Sequence, residues 1–369
     1  MNPRLAPWVL TVALTTCVGV TEERSRRDEQ IGKGEIAGAS FQVSDGLAAI
    51  RLLESGRVTL WAKAPQLDLF ARRSPDAPET WTLTIDNTLP DAVLEAATSG
   101  GETIAAVPLE AARATEKRWT LTLPANIDAT LKLRSARGEP TAPWRFALLS
   151  DIQEAIDRVQ DIYARMNADS AIEFVVCAGD LTTQGKPDQL ERFQDELEML
   201  GVPFFATLGN HELGTDDGEP FQRWFGRANF RFVYGGLQFT FLDSASATLD
   251  PRVYDWLTVW LAEGRDRPHA AFMHIPPIDP IGVRNGSFAS RDEAAKLLAK
   301  LAEGGVDATF YGHIHSYYAF SNAGIPAYIA GGGGAIPERF DGIGRHYLTV
   351  DVDPARGIVQ TGLVRIDGD

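Results

Sequence analysis

The chain has 369 residues, of which 44% are hydrophobic and 23% are charged, a composition typical of a folded protein with one large or two smaller domains. Its 35 basic and 50 acidic side chains give a formal net charge of −15, which disfavours binding to nucleic acid or to anionic lipid through charge alone. A small phosphorylated substrate is compatible with this charge if cations at its site attract it.

The first residues predict export. An early basic residue precedes an apolar stretch that contains Pro7 and is shorter than the roughly 20 residues of a membrane-spanning helix. This pattern is typical of a cleaved signal, here residues 1–17. The segment ending in Thr16-Cys17 resembles a bacterial lipoprotein cleavage site, although Thr16 is larger than the usual residue before the cysteine. We expect a periplasmic or cell-surface protein anchored to the membrane by lipid on Cys17; the alternative is a plain signal peptide with an incidental cysteine.

Two different patterns follow along the chain. Residues 18–35 are polar and charged without periodicity, which predicts a flexible tether. Residues 36–140 contain short segments of alternating apolar and polar residues, such as "TWTLTID" and "ATLKLRS", separated by Gly, Pro, Asp and Asn. This alternation predicts a small all-β domain, most simply a sandwich. The domain contains no histidine, so we expect it to space, dock or shield the next domain.

Residues 141–369 predict an α/β domain. Apolar strand segments such as "WRFALLS", "EFVVCAG" and "LQFTFLD" alternate with candidate helices at 153–168, 187–200, 251–264 and 290–303. Alternation of this kind favours sheets covered by helices.

Seven polar side chains follow or close five of the apolar strands. Because ligands of α/β sheets bind at the carboxyl ends of the strands, we expect these side chains to meet. A single histidine at a strand end is more often a satisfied core residue, but the joint pattern favours a functional site. Their carboxylate, amide and imidazole groups, without thiolate, suit Zn, Mn or Fe. They are Asp151, Asp180, Asn210, His211, His274, His313 and His315.

The motifs that carry these residues resemble those of the calcineurin-like metallophosphoesterase superfamily over about residues 145–352. They are Asp151-x-Gln153, Gly179-Asp180, Gly209-Asn210-His211-Glu212, His274 and Gly312-His313-x-His315. The G-N-H-E and G-H-x-H motifs are specific, whereas Gln153 stands where the family most often has histidine. The resemblance implies two packed mixed β-sheets flanked by helices, preceded here by the all-β domain. It also implies hydrolysis of a phosphomonoester or a phosphodiester.

The resemblance further implies two metal ions, divalent or iron, bridged by Asp180. Gln153 would belong to the first metal with Asp151 and His315, and the second metal would be bound by Asn210, His274 and His313. A hydroxide held between the metals would then attack the phosphorus atom.

The resemblance assigns further roles beside the metals. His211 would contact the phosphate, together with Asn210, and could protonate the leaving group. Glu212 would orient His211 or, equally, be a surface carboxylate. Arg284, in the loop after His274, is a candidate substrate contact, with Asn285 and Arg291 beside it, although loop residues of this kind are more often merely solvated.

Two alternatives follow from departures in these motifs. Thr183 stands where purple acid phosphatases have their iron-binding tyrosine, which disfavours a purple di-iron centre. The rival interpretation is a catalytically impaired surface protein with a decayed first metal site, whose β domain binds a partner. A decayed site would lose several ligands, and only one of eight motif positions departs here, which favours an enzyme.

Overall fold

The computed structural model describes residues 17–214, 216–282, 286–340 and 343–366. The predicted signal lies outside these residues except for Cys17, which begins the first helix. Within these ranges no helix combines the length and the hydropathy that crossing a membrane requires.

Ten strands form the β domain, and they pair into two five-stranded sheets. The strands are β1 (Lys33–Ile36), β2 (Ala39–Val43), β3 (Ala48–Glu54), β4 (Arg57–Ala62), β5 (Leu67–Arg73), β6 (Thr80–Asp86), β7 (Ala92–Thr98), β8 (Ala106–Leu109), β9 (Glu116–Thr122) and β10 (Ala129–Ser135). One sheet has the order β1-β2-β5-β10-β7 and the other β3-β4-β6-β9-β8. Alternate side chains of both sheets fill one core, in which the rings of Phe41 and Trp81 lie 4.9 Å apart. The predicted all-β domain is confirmed.

Among the residues that the structure describes, eleven strands form the two mixed sheets of the second domain, ordered β13-β12-β11-β20-β21 and β14-β15-β16-β17-β19-β18. They are β11 (Trp144–Leu149), β12 (Ile172–Cys177), β13 (Phe204–Ala206), β14 (Phe230–Tyr234), β15 (Leu237–Leu242), β16 (His269–Met273), β17 (Ala308–Tyr311), β18 (Tyr317–Asn322), β19 (Ile325–Ala330), β20 (His346–Asp353) and β21 (Gly357–Arg365). Aromatic side chains fill the space between the sheets, where the rings of Phe146 and Phe239 lie 5.2 Å apart. The predicted α/β fold with two packed mixed sheets is confirmed.

In the described part of the chain, six α-helices accompany these strands: α1 (Cys17–Gln30), α2 (Gln160–Asn167), α3 (Pro187–Leu197), α4 (Glu219–Phe225), α5 (Pro251–Glu263) and α6 (Arg291–Glu303). Helices α3, α5 and α6 lie close to their predicted positions, and the side chains of Asp250 and Ser290 cap α5 and α6 by accepting backbone N–H bonds. The predicted helix at 153–168 is a 3₁₀ turn followed by the shorter α2.

The prediction of a flexible tether at residues 18–35 is wrong, because α1 packs against the second domain. The Nε atom of Arg24, a fully buried residue, donates to Asp243 Oδ2 at 2.7 Å, and another nitrogen of the same guanidinium pairs with Asp217. Asp28 is also buried and accepts from the backbone N–H groups of Ala228 and Asn229, each at 2.9 Å. The charged residues that suggested a solvated segment have buried partners about 200 positions away, which local periodicity cannot reveal.

The β domain contacts the second domain beside β13 and α4. The buried Lys63 donates to the carbonyl of Ala206 and lies 4.1 Å from the ring centre of Phe230. Asn87 bonds both backbone groups of Phe204, accepting at 2.7 Å and donating at 2.8 Å. The two domains therefore share buried polar contacts only a few residues from Asn210.

Candidate metal centre

Five strands deliver the polar side chains that the sequence singled out. Asp151, Asp180 and Asn210 follow β11, β12 and β13 of one sheet, and His274 and His313 follow β16 and β17 of the other. These strands run parallel within each sheet, so their carboxyl ends share one edge. The structure brings all eight predicted positions together there.

A buried trio lies at the centre of the cluster. One potential ligand atom each from Asp151, Asp180 and His274 lie within 4.8 Å of one another. His274 Nε2 is 3.3 Å from Asp180 Oδ2. Two buried carboxylates are costly without positive partners, so this arrangement demands cationic charge.

Gln153 and His315 lie on one side of the trio. The Nε2 atom of Gln153 donates to Asp180 Oδ2 at 2.8 Å and is 3.3 Å from His315 Nε2. His315 Nε2 is 3.5 Å from Asp151 Oδ1. Gln153 is itself buried, so the residue that departs from the family pattern lies inside the cluster rather than beside it.

Asn210 and His313 lie on the other side. Asn210 Oδ1 is 2.9 Å from His274 Nε2 and 2.8 Å from His313 Nδ1. The Asp180 carboxylate therefore lies between two groups of potential ligands, and each group contains one amide side chain and at least one imidazole ring.

Three histidines are oriented by backbone carbonyls. The Nδ1–H group of each donates outward: His211 to Thr183 at 2.7 Å, His274 to Ala178 at 2.8 Å and His315 to Ile336 at 2.8 Å. A ring held in this way turns its Nε2 atom inward, with the lone pair that a metal ion requires.

His274 supplies a direct test of whether a metal ion fits. Its Nε2 atom lies 2.9 Å from the amide oxygen of Asn210 and 3.3 Å from Asp180 Oδ2, so it faces two acceptors and must carry either a proton or a metal ion. Burial lowers the pKa of His274, but Asp180 and Asp151 outweigh burial and raise it to about 9. Burial likewise acts to raise the pKa of Asp180, and His274 and His211 hold it below its ordinary value. The donor set fits a divalent cation of the Zn, Mn or Fe kind.

The backbone at the cluster is strained. Four of its non-glycine residues have positive φ angles: Asp151 at 59°, Gln153 at 47°, Asp180 at 55° and His313 at 69°. Such conformations persist only where the surroundings impose them, and they are typical of functional sites.

Two glycines permit the close approach of the strand ends. A Cβ atom on Gly209 would lie 2.2 Å from the backbone nitrogen of Asp180, and one on Gly312 would lie 2.1 Å from Ser150 Oγ. Neither position has room for a side chain. The glycine in each motif is therefore required by packing between neighbouring loops.

Glu212 is neither a surface carboxylate nor a direct partner of the His211 ring. It is fully buried and accepts from the backbone N–H groups of Asp180 and Thr182 at 2.9 Å and of Gly209 at 3.1 Å. Burial, and then the charge of Asp180, raise the pKa of Glu212 to about 7. Glu212 thus holds the second and third motifs together, which its position in G-N-H-E alone did not indicate.

Other predicted contacts and one missed residue complete the site. Arg284 and Asn285 lie outside the described residues, and Arg291 is exposed at the start of α6. The sequence interpretation missed Ser150, whose Oγ donates to Asp151 Oδ2 at 2.6 Å. Its position directly before Asp151 at a strand end was the available signal.

Comparisons with known proteins agree with this geometry. Residues 145–317 match the family described as calcineurin-like phosphoesterase. A protein of Arcobacter nitrofigilis, described as a probable glycerophosphodiester phosphodiesterase, is 26% identical over 157 residues, which are 39% of this chain and 56% of the relative. The glycerophosphodiester phosphodiesterase of Enterobacter lignolyticus is 28% identical over 141 residues, 30% of this chain and 47% of the relative. The chain thus spans about half the length of these relatives.

Among solved structures, a dimetal phosphatase from Danio rerio is 15% identical with a TM-score of 0.44, and the match covers 61% of this chain and 99% of that chain.

Proposed function

We propose that this chain, whose residues 145–317 belong to the calcineurin-like phosphoesterase family, hydrolyses a small phosphodiester in a metal-dependent reaction. The observation that carries the proposal is the set of inward-facing Nε2 atoms around the buried Asp180 carboxylate. The names of the relatives in Arcobacter and Enterobacter support a diester rather than a monoester.

Two metal positions are proposed on either side of Asp180. Asp151, Gln153 and His315 would hold the first, and Asn210, His274 and His313 would hold the second, with Asp180 shared by both. Divalent cations in such a site activate water as a nucleophile and withdraw charge from the phosphoryl oxygens.

We propose that His211 moves a proton. Its Nδ1–H is held by the Thr183 carbonyl, and its Nε2 lies 3.9 Å from Asp180 Oδ2, on a side chain that is 31% exposed. This ring is the histidine of the G-N-H-E motif that faces the open side. When protonated, its Nε2 can donate to a phosphoryl oxygen or to the departing alcohol oxygen.

Gln153 is proposed as a neutral ligand of the first metal position. Its amide nitrogen now faces Asp180 and His315, and a half-turn of the amide would place the oxygen there without moving the chain. Amide oxygen is a weaker donor than imidazole for Zn-like ions and favours harder cations such as Mn or Mg. The first position should therefore exchange its cation more readily than the second.

We also propose that the protein is exported and anchored by lipid on Cys17. The apolar segment before Cys17 and its resemblance to a lipoprotein cleavage site support this proposal. The helix that begins at Cys17 would then join the lipid directly to the folded domain.

Replacement of the shared carboxylate tests the activity. Asp180→Asn keeps the size of the side chain but removes the charge that both metal positions require. We expect turnover of bis(4-nitrophenyl) phosphate, with Mn, Zn or Fe added, to fall by more than the roughly 10- to 100-fold typical of losing an outer partner of a metal ligand. Asp188→Asn is the matched control, because Asp188 is exposed on α3.

Circular dichroism should show that both variants retain the fold. Turnover by Asp180→Asn at the rate of the control would contradict the proposed function, as would turnover by the unaltered protein that survives complete removal of metal.

A further inference from the structure

The two most exposed large apolar side chains of the described residues lie in a loop beside the candidate metal centre. Phe340 is 82% exposed and Ile336 is 75% exposed, both in the loop after β19. Ile278 and Ile281, in the loop after His274, are 40% and 48% exposed. We call these four residues the apolar rim.

Backbone hydrogen bonds fix the loop of Ile336 to the centre. The carbonyl of Ile336 accepts from His315 Nδ1 at 2.8 Å, and Glu338 N donates to the carbonyl of His315 at 3.0 Å. Ala335 N donates to the carbonyl of Asp151 at 2.9 Å. Ile336 therefore lies one hydrogen bond away from a proposed metal ligand.

The loop of Ile278 and Ile281 is fixed on the neighbouring side. The carboxylate of Asp279 accepts from the backbone nitrogens of Ile281 at 2.9 Å and Gly286 at 3.1 Å. A Cβ atom on Gly286 would lie 3.2 Å from His313 Cδ2, so the backbone at Gly286 abuts His313. The rim thus flanks the G-H-x-H motif with apolar side chains from two anchored loops.

Single exposed apolar side chains are common, but four on two loops beside one site indicate a binding surface. We propose that the centre takes phosphodiesters in which one esterified alcohol is apolar, an alkyl or aryl group, and that the apolar rim contacts this group. The inference rests on the proposed function, because a phosphate held among the histidines would direct its ester groups toward these loops. Apolar area removed from water would then add to the affinity that the phosphate supplies.

A series of methyl, butyl and octyl 4-nitrophenyl phosphates isolates this contact, since the charge and the leaving group are constant. We expect kcat/KM of the unaltered protein to rise about tenfold from the methyl to the butyl ester, as partial burial of three methylene groups implies. Ile336→Ser combined with Phe340→Ser should flatten the series, so that the ratio of kcat/KM for the butyl ester to that for the methyl ester falls toward one. Val107→Ser is the control, because Val107 is 55% exposed on β8 of the β domain.

The outcomes separate this inference from the proposed function. A flat series in the unaltered protein, or an unchanged slope in the double variant, overturns the role of the rim even if every ester is hydrolysed. If no ester is hydrolysed, the proposed function fails. The role of the rim is then tested by calorimetry, which compares the affinity for methyl phosphate with that for butyl phosphate in the unaltered protein and in the double variant.

The rim has two other conceivable occupants, a neutral membrane or a second copy of the chain. If the double variant alters only sedimentation with phosphatidylcholine vesicles, or only the association state in ultracentrifugation, the apolar substrate group is the wrong occupant.

Discussion

Replacement of Arg24 by Met should destabilise the protein strongly, although Arg24 lies in a segment whose sequence suggests a tether. The guanidinium is fully buried and bonds Asp243, which is 5% exposed, at 2.7 Å. It also donates to Ser246 Oγ at 2.9 Å. Arg24→Met keeps much of the side-chain volume but leaves the buried Asp243 carboxylate without its cation, a change that typically costs about 3–5 kcal/mol.

Urea denaturation followed by tryptophan fluorescence measures this loss. The matched control is Arg26→Met in the same helix, because Arg26 is 64% exposed and its ion pair with Glu22 lies at the surface, so its loss should stay below about 1 kcal/mol. Adding Asp243→Asn to Arg24→Met should recover part of the stability, since it removes the stranded charge. If Arg24→Met and Arg26→Met unfold at the same urea concentration, α1 is not docked as described and the reasoning fails.

Three further predictions concern the domain contact, the metal positions and the membrane. Burial lowers the pKa of Lys63 to about 7 from an ordinary 10.5, so unfolding takes up a proton above pH 7. Lys63→Met should therefore be more stable than the unaltered protein at pH 7, and the difference should shrink by about 1.4 kcal/mol per unit toward pH 10; a constant difference would show that Lys63 is not neutral when buried. Gln153→His should retain more metal after dialysis than the unaltered protein, and Gln153→Ala less; equal stoichiometry in all three forms would make Gln153 a bystander. Cys17→Ser should move the protein from the detergent phase to the aqueous phase of a Triton X-114 extraction of bacterial cells, and identical partitioning would exclude the lipid anchor.

The sequence was most informative where polar residues repeatedly follow apolar strand segments. Asp151, Asp180 and His274 each follow a run of apolar residues, and the parallel strands that these runs form bring them to one edge of the fold. Their meeting could be predicted because strand type and strand direction follow from the local pattern. Gln153 could also be placed in the site, although only the structure shows its contact with Asp180.

Contacts between distant segments could not be predicted. The partners of Glu212 are backbone N–H groups of the loops after β12 and β13. Every residue except proline has such a group, so the sequence does not indicate which ones Glu212 binds. Helix α4 escaped notice because its seven residues make only about two helical turns, which is too short for an amphipathic period to be recognised. The docking of α1 could not be predicted because its partners are distant in the sequence. A charged residue that forms a buried salt bridge cannot be distinguished from a solvated one until its partner is known.

Helix α1 makes the second domain discontinuous in sequence. The chain contributes α1 to this domain, leaves it to build the whole β domain, and returns at β11. A fragment cut to the matched segment 145–317, or begun at residue 141, would lack both Arg24 and Asp28. The backbone nitrogens of Ala228 and Asn229 and the carboxylate of Asp243 would then lose the partners that bury them. The β domain is therefore inserted between α1 and the rest of the second domain, so no single cleavage of the chain yields both domains complete.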